Sequence, residues 1–463
     1  MRLFLRVFFT VLLALPAVLQ AQDATCDFDA LTPQTTFIKI GDAIHFSGPT
    51  RYKCSGNVVV RSDSAVNAFG RLLLIGNVDY ADSTKTLTSQ FVQYEGRIGR
   101  IVADGPTVVT DRKTGSILNA PNGLIYQRVT KDNPQPRIEV IRGRPQLTLL
   151  EEPRPEQKPD TTNIISDRME ITGENLFRGW GSVVIKRGEL DATGGQAVFD
   201  DSLGIMDLWG IARIKGERYD VRGDSIHAQV EGDLFREVRV FRNARIDNED
   251  LVVEGHRLNI AFDSGAVSRL IAQGGKAGRE GKSATATTPD FVLTADSIDA
   301  VAPKQTLERV TAVGNAMGTR QPDSLDLKLP ELIQRDWLRG DTVIAHFVDA
   351  PDSIRAKAAK SDSSVNRVLD RLIAVGSGAA PATSTYRMRA ENDTTNQIEV
   401  GYLVARRITA LFKDGGIHDM DAQGQIRGVY LQPIRRVTPI PTRPVTTDRQ
   451  GTQNARTTGR RGR

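Results

Sequence analysis

The sequence predicts an all-β protein made of stacked antiparallel strands, and three observations carry that expectation. Apolar residues recur with a period of two, two short phrases alternate along the chain, and turn-forming breaks return roughly every ten residues. Successive side chains on a strand point to opposite faces, so period-two alternation lays an apolar stripe on one side of a sheet. Ile226, Ala228 and Val230 alternate in this way with His227, Gln229 and Glu231, as do Leu258, Ile260 and Phe262 with Asn259, Ala261 and Asp263. Val343, Ala345 and Phe347 continue the column, and Ile298 belongs to it. These residues are the candidates for an apolar binding surface. Helical character is expected only across Ser353–Leu372, where Ala and Arg are frequent.

The phrases define the repeat, because self-similarity along a chain marks a stacked architecture. The first, two apolar residues followed by Ala-x-Gly, occurs at Ile101–Gly105, Leu270–Gly274 and Leu372–Gly376, with looser copies at Val310–Gly314 and His418–Gly424. The second occurs as Gly223–Ala228, Ala295–Ala300 and Gly340–Ala345, and more weakly as Gly255–Ile260. Glycine-led strands related to them start at Gly56, Gly76 and Gly181. His256 to Gly274 and Asp296 to Gly314 are each 18 residues apart, a coincidence that single chance matches do not produce. Asp341 to Gly376 is 35 residues, which marks an insertion.

The chain ends read differently. Arg2 and Arg6 flank the start of an apolar run, Val7–Leu19, which leads to Ala17-Val18-Leu19-Gln20-Ala21 and then to polar Gln22-Asp23. A charged region, an apolar region and a small-residue site predict a secretory signal at 1–21, cut after Ala21. A membrane anchor is the competing reading, but the run falls short of the ~20 residues a span needs and contains Pro16. Asp23-Ala24-Thr25 before Cys26 is a poor lipidation sequence. Cys26 and Cys54 are the two cysteines of the chain, and outside the cytoplasm they could close one disulfide; two free thiols are the alternative. The net charge of +5 misleads. Residues 435–463 carry eight Arg and one Asp, the leader adds two Arg, and the remainder at 22–434 has a formal charge of −4. A mildly acidic body excludes a charge-based case for nucleic acid. The tail at 434–463, rich in Arg, Thr, Pro and Gly, is expected to be disordered.

Between the ends, the Pro-rich segment at 151–160 separates a first repeat block, 22–150, from a second, 161–433. In a stack each repeat buries its face against neighbours, so a protruding loop leaves the sheet continuous.

The stretch Gly56–Tyr126 runs through Gly-Asn-Val-Val-Val, Gly70-Arg71-Leu72-Leu73-Leu74, Gly-Asn-Val-Asp-Tyr, Leu87-Thr88-Ser89-Gln90, Ala103-Asp104-Gly105-Pro106 and Leu118-Asn119-Ala120. It resembles the OstA-like repeat family of lipopolysaccharide transport, which includes LptA and the N-terminal part of LptD. The likeness continues more loosely from Ser166 to Tyr430. The resemblance implies an elongated β-jellyroll with an open apolar groove, through which lipid acyl chains slide across the periplasm towards the outer membrane. It implies lipopolysaccharide or a related lipid as ligand. Other transport components, or further copies joined head to tail, would add strands to its open edges. It implies no cofactor and no catalysis. The chain departs from the family in being much longer than the simple bridge proteins, without a late block of amphipathic strands bearing aromatic girdles.

Several tempting motifs have simpler readings. Gly274–Ser283 looks like a phosphate loop, but Lys276 stands where the first glycine belongs, and the following Ala-Thr-rich segment cannot open a helix. An extended hairpin loop is the expectation there. Arg222-Gly223-Asp224 and Arg339-Gly340-Asp341 fall on the repeat phrase. Histidines 45, 227, 256, 346 and 418 lack metal-ligand spacing. The recurring Asp224, Asp296 and Asp341 could mark a polysaccharide-cleaving site, but turn-forming Asp at a repeat corner explains them. An exported β-solenoid with a structural or adhesive role and no lipid is the alternative to the carrier.

Overall fold

The computed structural model describes residues 26–29, 33–131, 133–150, 161–188, 190–231, 234–248, 251–275, 282–289, 291–303, 306–322, 331, 334–359, 367–378, 380–389, 398–413 and 416–431. The signal expected at 1–21, the Pro-rich loop at 151–160 and the tail at 434–463 lie outside them. Among the described residues thirty-two strands form one antiparallel sheet, and the expected all-β class is what the chain adopts. Gln146–Leu150 pairs in register with Thr161–Ile165, so the sheet runs on from one side of the Pro-rich segment to the other.

A corner in the middle of each crossing turns this sheet into two walls. Tyr219–Glu231 pairs with Leu234–Asn248 from Tyr219↔Asn248 to Arg222↔Arg245, then breaks and resumes at Ser225↔Phe241. At the break Arg242 and Asn243 both adopt left-handed backbone, with φ of 57° and 45°. A bulge of this kind bends the strand and re-aims its side chains. The same paired left-handed residues occur at Gly76–Asn77, Gly181–Ser182, Gly210–Ile211 and Gly314–Asn315. Where the corner is wider the strand divides. Arg100–Asp104 and Thr107–Asp111 each pair with one half of Lys85–Glu95, and Ala266–Gln273 and Ala284–Thr287 with the halves of Leu251–Asp263. The corners stack in register along one edge. One set of arms, including 225–231 and 257–263, forms a front wall; the other, including 219–222 and 251–254, forms a back wall.

The corner also keeps apolar groups inside both walls. Val221 and Gly223 are buried on the back wall and Ile226 and Ala228 on the front wall, so the two-residue step becomes three across the corner. Without that extra residue one arm would show its apolar face to water. The inward groups form a single cluster from Tyr52 to Ala410. Side chains meet across the gap, as where Tyr219 of the back wall packs edge-on against Phe262 of the front wall, ring centroids 5.4 Å apart.

One expectation needs correction. Of the helix expected over Ser353–Leu372, Asp352–Ala359 is helical, at the rim between Trp337–Asp349 and Arg367–Val375, while residues 360–366 lie outside the described residues. Arg367 onwards is strand, because Leu369 and Leu372 pair with Phe347 and Ala345. Of the extended hairpin loop expected at Gly274–Ser283, residues 276–281 lie outside the described residues; the flanking strands, Ala266–Gln273 of the front wall and Ala284–Thr287 of the back wall, pair with the two halves of Leu251–Asp263. The Gly275 amide donates to the Lys282 carbonyl at 3.0 Å. At the N-terminal edge Cys26 and Cys54 form a disulfide and pin Cys26–Phe28 onto Ala43–Cys54.

Candidate functional site: the interior between the walls

All nine apolar residues singled out by alternation lie on the inner face of the front wall. Ile226, Leu258, Ile298 and Val343 share one cross-strand row, connected through Val240, Ala272 and Ala312. Ala228 and Ile260 belong to the next row, joined by Val238. Val230, Phe262 and Phe347 sit nearer the rim, each just past a second register shift. Large and small residues alternate along the first row: Leu258, Ala272, Ile298, Ala312, Val343, Ala374. This alternation is the physical meaning of the two phrases, one supplying the bulky row residue and the other the alanine. Interdigitated large and small groups fill a core without voids.

That filling has a functional bearing. Ile226, Ala228, Leu258, Ile260, Ile298, Val343 and Phe347 are between 0 and 7% exposed, and Val230 and Phe262 are partly buried against the same cluster. The column expected to line an open groove is covered by the back wall. Alternation of the front arms missed the covering residues, among them Val221, Ile246, Val253 and Leu293, which form a back-wall row. Their signal was a second stretch of alternation, out of phase with the first because of the corner.

The mouth, opposite the corners, differs along its length. In the N-terminal part it is held by a polar lock. Asp82, 3% exposed, accepts from Tyr80 at 2.8 Å and Tyr126 at 3.1 Å through Oδ2, and from the Thr84 and Lys85 amides at 2.8 Å through Oδ1. Burial disfavours the Asp82 carboxylate, but the Lys85 and Thr84 amides and the Tyr80 phenol outweigh it and hold the pKa below its ordinary value. Burial drives the Tyr80 and Tyr126 phenols far upward, so both remain donors. Arg128, also from the front rim, donates to Tyr94 Oη at 3.3 Å and to the Gly56 carbonyl of the back rim at 3.4 Å.

Further along, the mouth carries two recesses. One lies between Asn248, Leu251 and Val253 on one side and Val267, Ala302 and Leu307 on the other. The second is lined by Phe291, Leu338, Leu372, Phe412 and Met420, together with Arg320 and Asp336. Asp336 is gripped by two guanidiniums, Arg320 Nε and Arg387 Nε, each at 2.9 Å. Ser384 lines this recess, and its buried Oγ has no hydrogen-bond partner among the described residues.

The recurring aspartates serve the corners. Asp224 accepts from Asn243 at 3.0 Å, Asp296 from Asn315 at 3.2 Å and Asp63 from Asn77 at 2.8 Å, the asparagines being left-handed bulge residues. Asp341 occupies the corner of Trp337–Asp349. His227 Nδ1 lies 2.7 Å from Asp207 Oδ1 on the outer face. Among the described residues no group of three or more His, Cys, Asp or Glu could hold a metal ion, and no helix is long and apolar enough to cross a membrane.

Comparison of the sequence with protein-family models and with curated proteins finds no match.

Proposed function

We propose that the chain is an exported lipid carrier whose apolar interior takes acyl chains between its two walls, in the manner of the OstA-like proteins its repeat phrases resemble. The observation that carries this reading is the single apolar cluster from Tyr52 to Ala410, continuous between walls that the strands join at the corners. Acyl chains need apolar surface with few polar fixings. Because the interior is filled, loading requires the walls to part at the mouth. The recesses beside Leu251 and Phe412 are the places where the least packing is lost. Lipopolysaccharide or a related lipid is the proposed cargo, and the periplasm, at the outer membrane, the proposed compartment. The Cys26–Cys54 disulfide is compatible with export. Strands with one described neighbour end the sheet, Thr36–Ile40 at one end and Arg427–Leu431 at the other. Both expose large apolar residues, including Phe37, Ile38, Val429 and Leu431. These edges are where transport partners, or copies joined head to tail, would add strands.

A photo-crosslinking residue at Ile260 or Phe347 should capture lipid in cells, whereas one at the outward Gln229 should not. Capture at Gln229 alone would sink the carrier reading. The filled interior favours a second reading, a structural stack with no lipid. Native mass spectrometry separates the two: lipid adducts on the purified full chain support the carrier, and a lipid-free chain with no capture at Ile260 supports the structural stack.

A further inference from the structure

The outer face of the front wall carries a feature that neither the packing nor the lipid reading uses. Trp180, Trp209 and Phe241 lie in one cross-strand row immediately beside the corners, on every second strand. Gln196 and Ser225 stand between them in the same row, and Arg168 and Arg257 close its two ends. Neighbouring strands are roughly 4.8 Å apart, so successive aromatic side chains repeat at about 9–10 Å. The Arg168 guanidinium rests 4.4 Å from the Trp180 ring and that of Arg257 5.0 Å from the Phe241 ring. Trp209, at the centre, is 40% exposed.

The corner next to Trp209 is unlike the others. Asn or Ser occupies the second left-handed position at 77, 182, 243 and 315, where a short polar side chain tolerates that backbone. Ile211 occupies it here, with φ of 57° and 90% exposure. A β-branched residue in this conformation is strained, and an isoleucine that far out in water gains nothing from the fold. It widens the apolar platform around Trp209. Across the corner Gly194 and Gly195 carry no side chains, and a Cβ on either would approach the backbone carbonyl of Trp209, at 3.1 and 3.5 Å.

We infer that this strip binds an extended β-linked polysaccharide. In such a chain alternate sugars present the same face, so a ligand with a two-sugar period meets an aromatic at each repeat. The C–H faces of the rings stack on the aromatics while hydroxyls reach the interleaved Gln196 and Ser225 and the end arginines. The row alongside is largely polar, with Arg178, Asp207, His227 and Arg239 in register, and it supplies further hydroxyl partners. A membrane interface also favours Trp and Arg, but it has no use for the interleaved polar residues or for the carboxylates of Asp207 and Glu170 close by. The strip is on the outside, so it does not depend on lipid in the interior.

The test uses the full chain with chitohexaose, cellohexaose and β-(1→4)-linked oligomannuronate as probes, and anionic phospholipid vesicles as the competing surface. Two of the chain's three tryptophans are in the strip, so binding should perturb intrinsic fluorescence. At least one oligosaccharide should bind, and Trp209→Ala and Phe241→Ala should each weaken it by about tenfold. Trp337→Phe, on the back wall, should leave binding unchanged. Circular dichroism of Trp209→Ala, an exposed site, verifies that folding is intact; Ile211→Asn, which relieves the strained corner, gives a second variant that should also bind more weakly. Binding to none of the probes, binding insensitive to Trp209→Ala, or vesicle binding lost in Trp209→Ala without any sugar binding would overturn the inference.

Discussion

Tyr126 of the front wall donates its phenolic hydrogen to Asp82 of the back wall at 3.1 Å, and this contact fastens the two rims of the N-terminal part together. Tyr80, from the back wall itself, donates to the same oxygen. Truncating the carboxylate strands two buried phenols and two amides. Asp82→Ala should therefore destabilise the chain by about 2–4 kcal/mol, and Tyr126→Phe by about 1 kcal/mol. Urea unfolding of the two variants decides this, and equal midpoints for Asp82→Ala and the parent chain would show that the lock contributes nothing.

The lock also makes a pH prediction. The pKa of Asp82 is lowered in the folded protein, so its contribution is fully present above the ordinary carboxylate pKa of about 4 and is lost as pH falls through the folded value. Parent and Asp82→Asn chains should differ most at neutral pH and converge in acid. A difference that widens on acidification would mean the sign is wrong.

The disulfide should matter in proportion to the loop it closes. Cys26 and Cys54 are 28 residues apart, which predicts a loss of roughly 2–4 kcal/mol on reduction or in a Cys26→Ser, Cys54→Ser double variant. Calorimetry with and without reductant measures it. Loss should be confined to the N-terminal edge, visible as faster amide exchange in Cys26–Phe28 and Ala43–Cys54.

The corners make a prediction of their own. Gly314 has φ of 78°, and a Cβ there would lie 2.4 Å from Asp296 Oδ2. Gly314→Ala should cost roughly 1–3 kcal/mol, while Asn315→Gly, which keeps the backbone freedom and loses only the hydrogen bond to Asp296, should cost about 1 kcal/mol. Thermal melts that rank the two in the opposite order would count against the corner geometry.

Packing of the inner column is tested by truncation. Ile260→Ala should destabilise by roughly 2–5 kcal/mol, and outward Gln229→Ala by no more than about 0.5 kcal/mol. Similar small effects at both positions would imply a loose interior.

Much of this architecture was legible in the sequence. Ile226, Ala228, Ile260 and Val343 announced a buried face by alternation, and the 18-residue interval from Asp296 to Gly314 is one front arm out and back, from corner to corner. The back wall was not legible in the same way, because the extra residue between Gly223 and Ile226 shifts the phase of alternation and hides Val221 from a single period. The lock at Asp82 was also out of reach, since it joins residues 44 positions apart and nothing local in Asp82-Ser83-Thr84 points to Tyr126. The outer aromatic row escaped notice because Trp180, Trp209 and Phe241 become neighbours only once the register is known.

The pairing pattern has a consequence for how the chain reaches its shape. Every crossing bonds to the crossings just before and after it, as Tyr219–Glu231, Leu234–Asn248 and Leu251–Asp263 do in turn. Such a chain can nucleate at any well-formed hairpin and zip outward in both directions, with cooperativity passed from neighbour to neighbour. It can also be shortened or lengthened by whole hairpins, each pair of crossings changing its length by about 10 Å. The protein is thus a ruler whose span is set by the number of hairpins encoded, and evolution can adjust that span without redesigning any single layer.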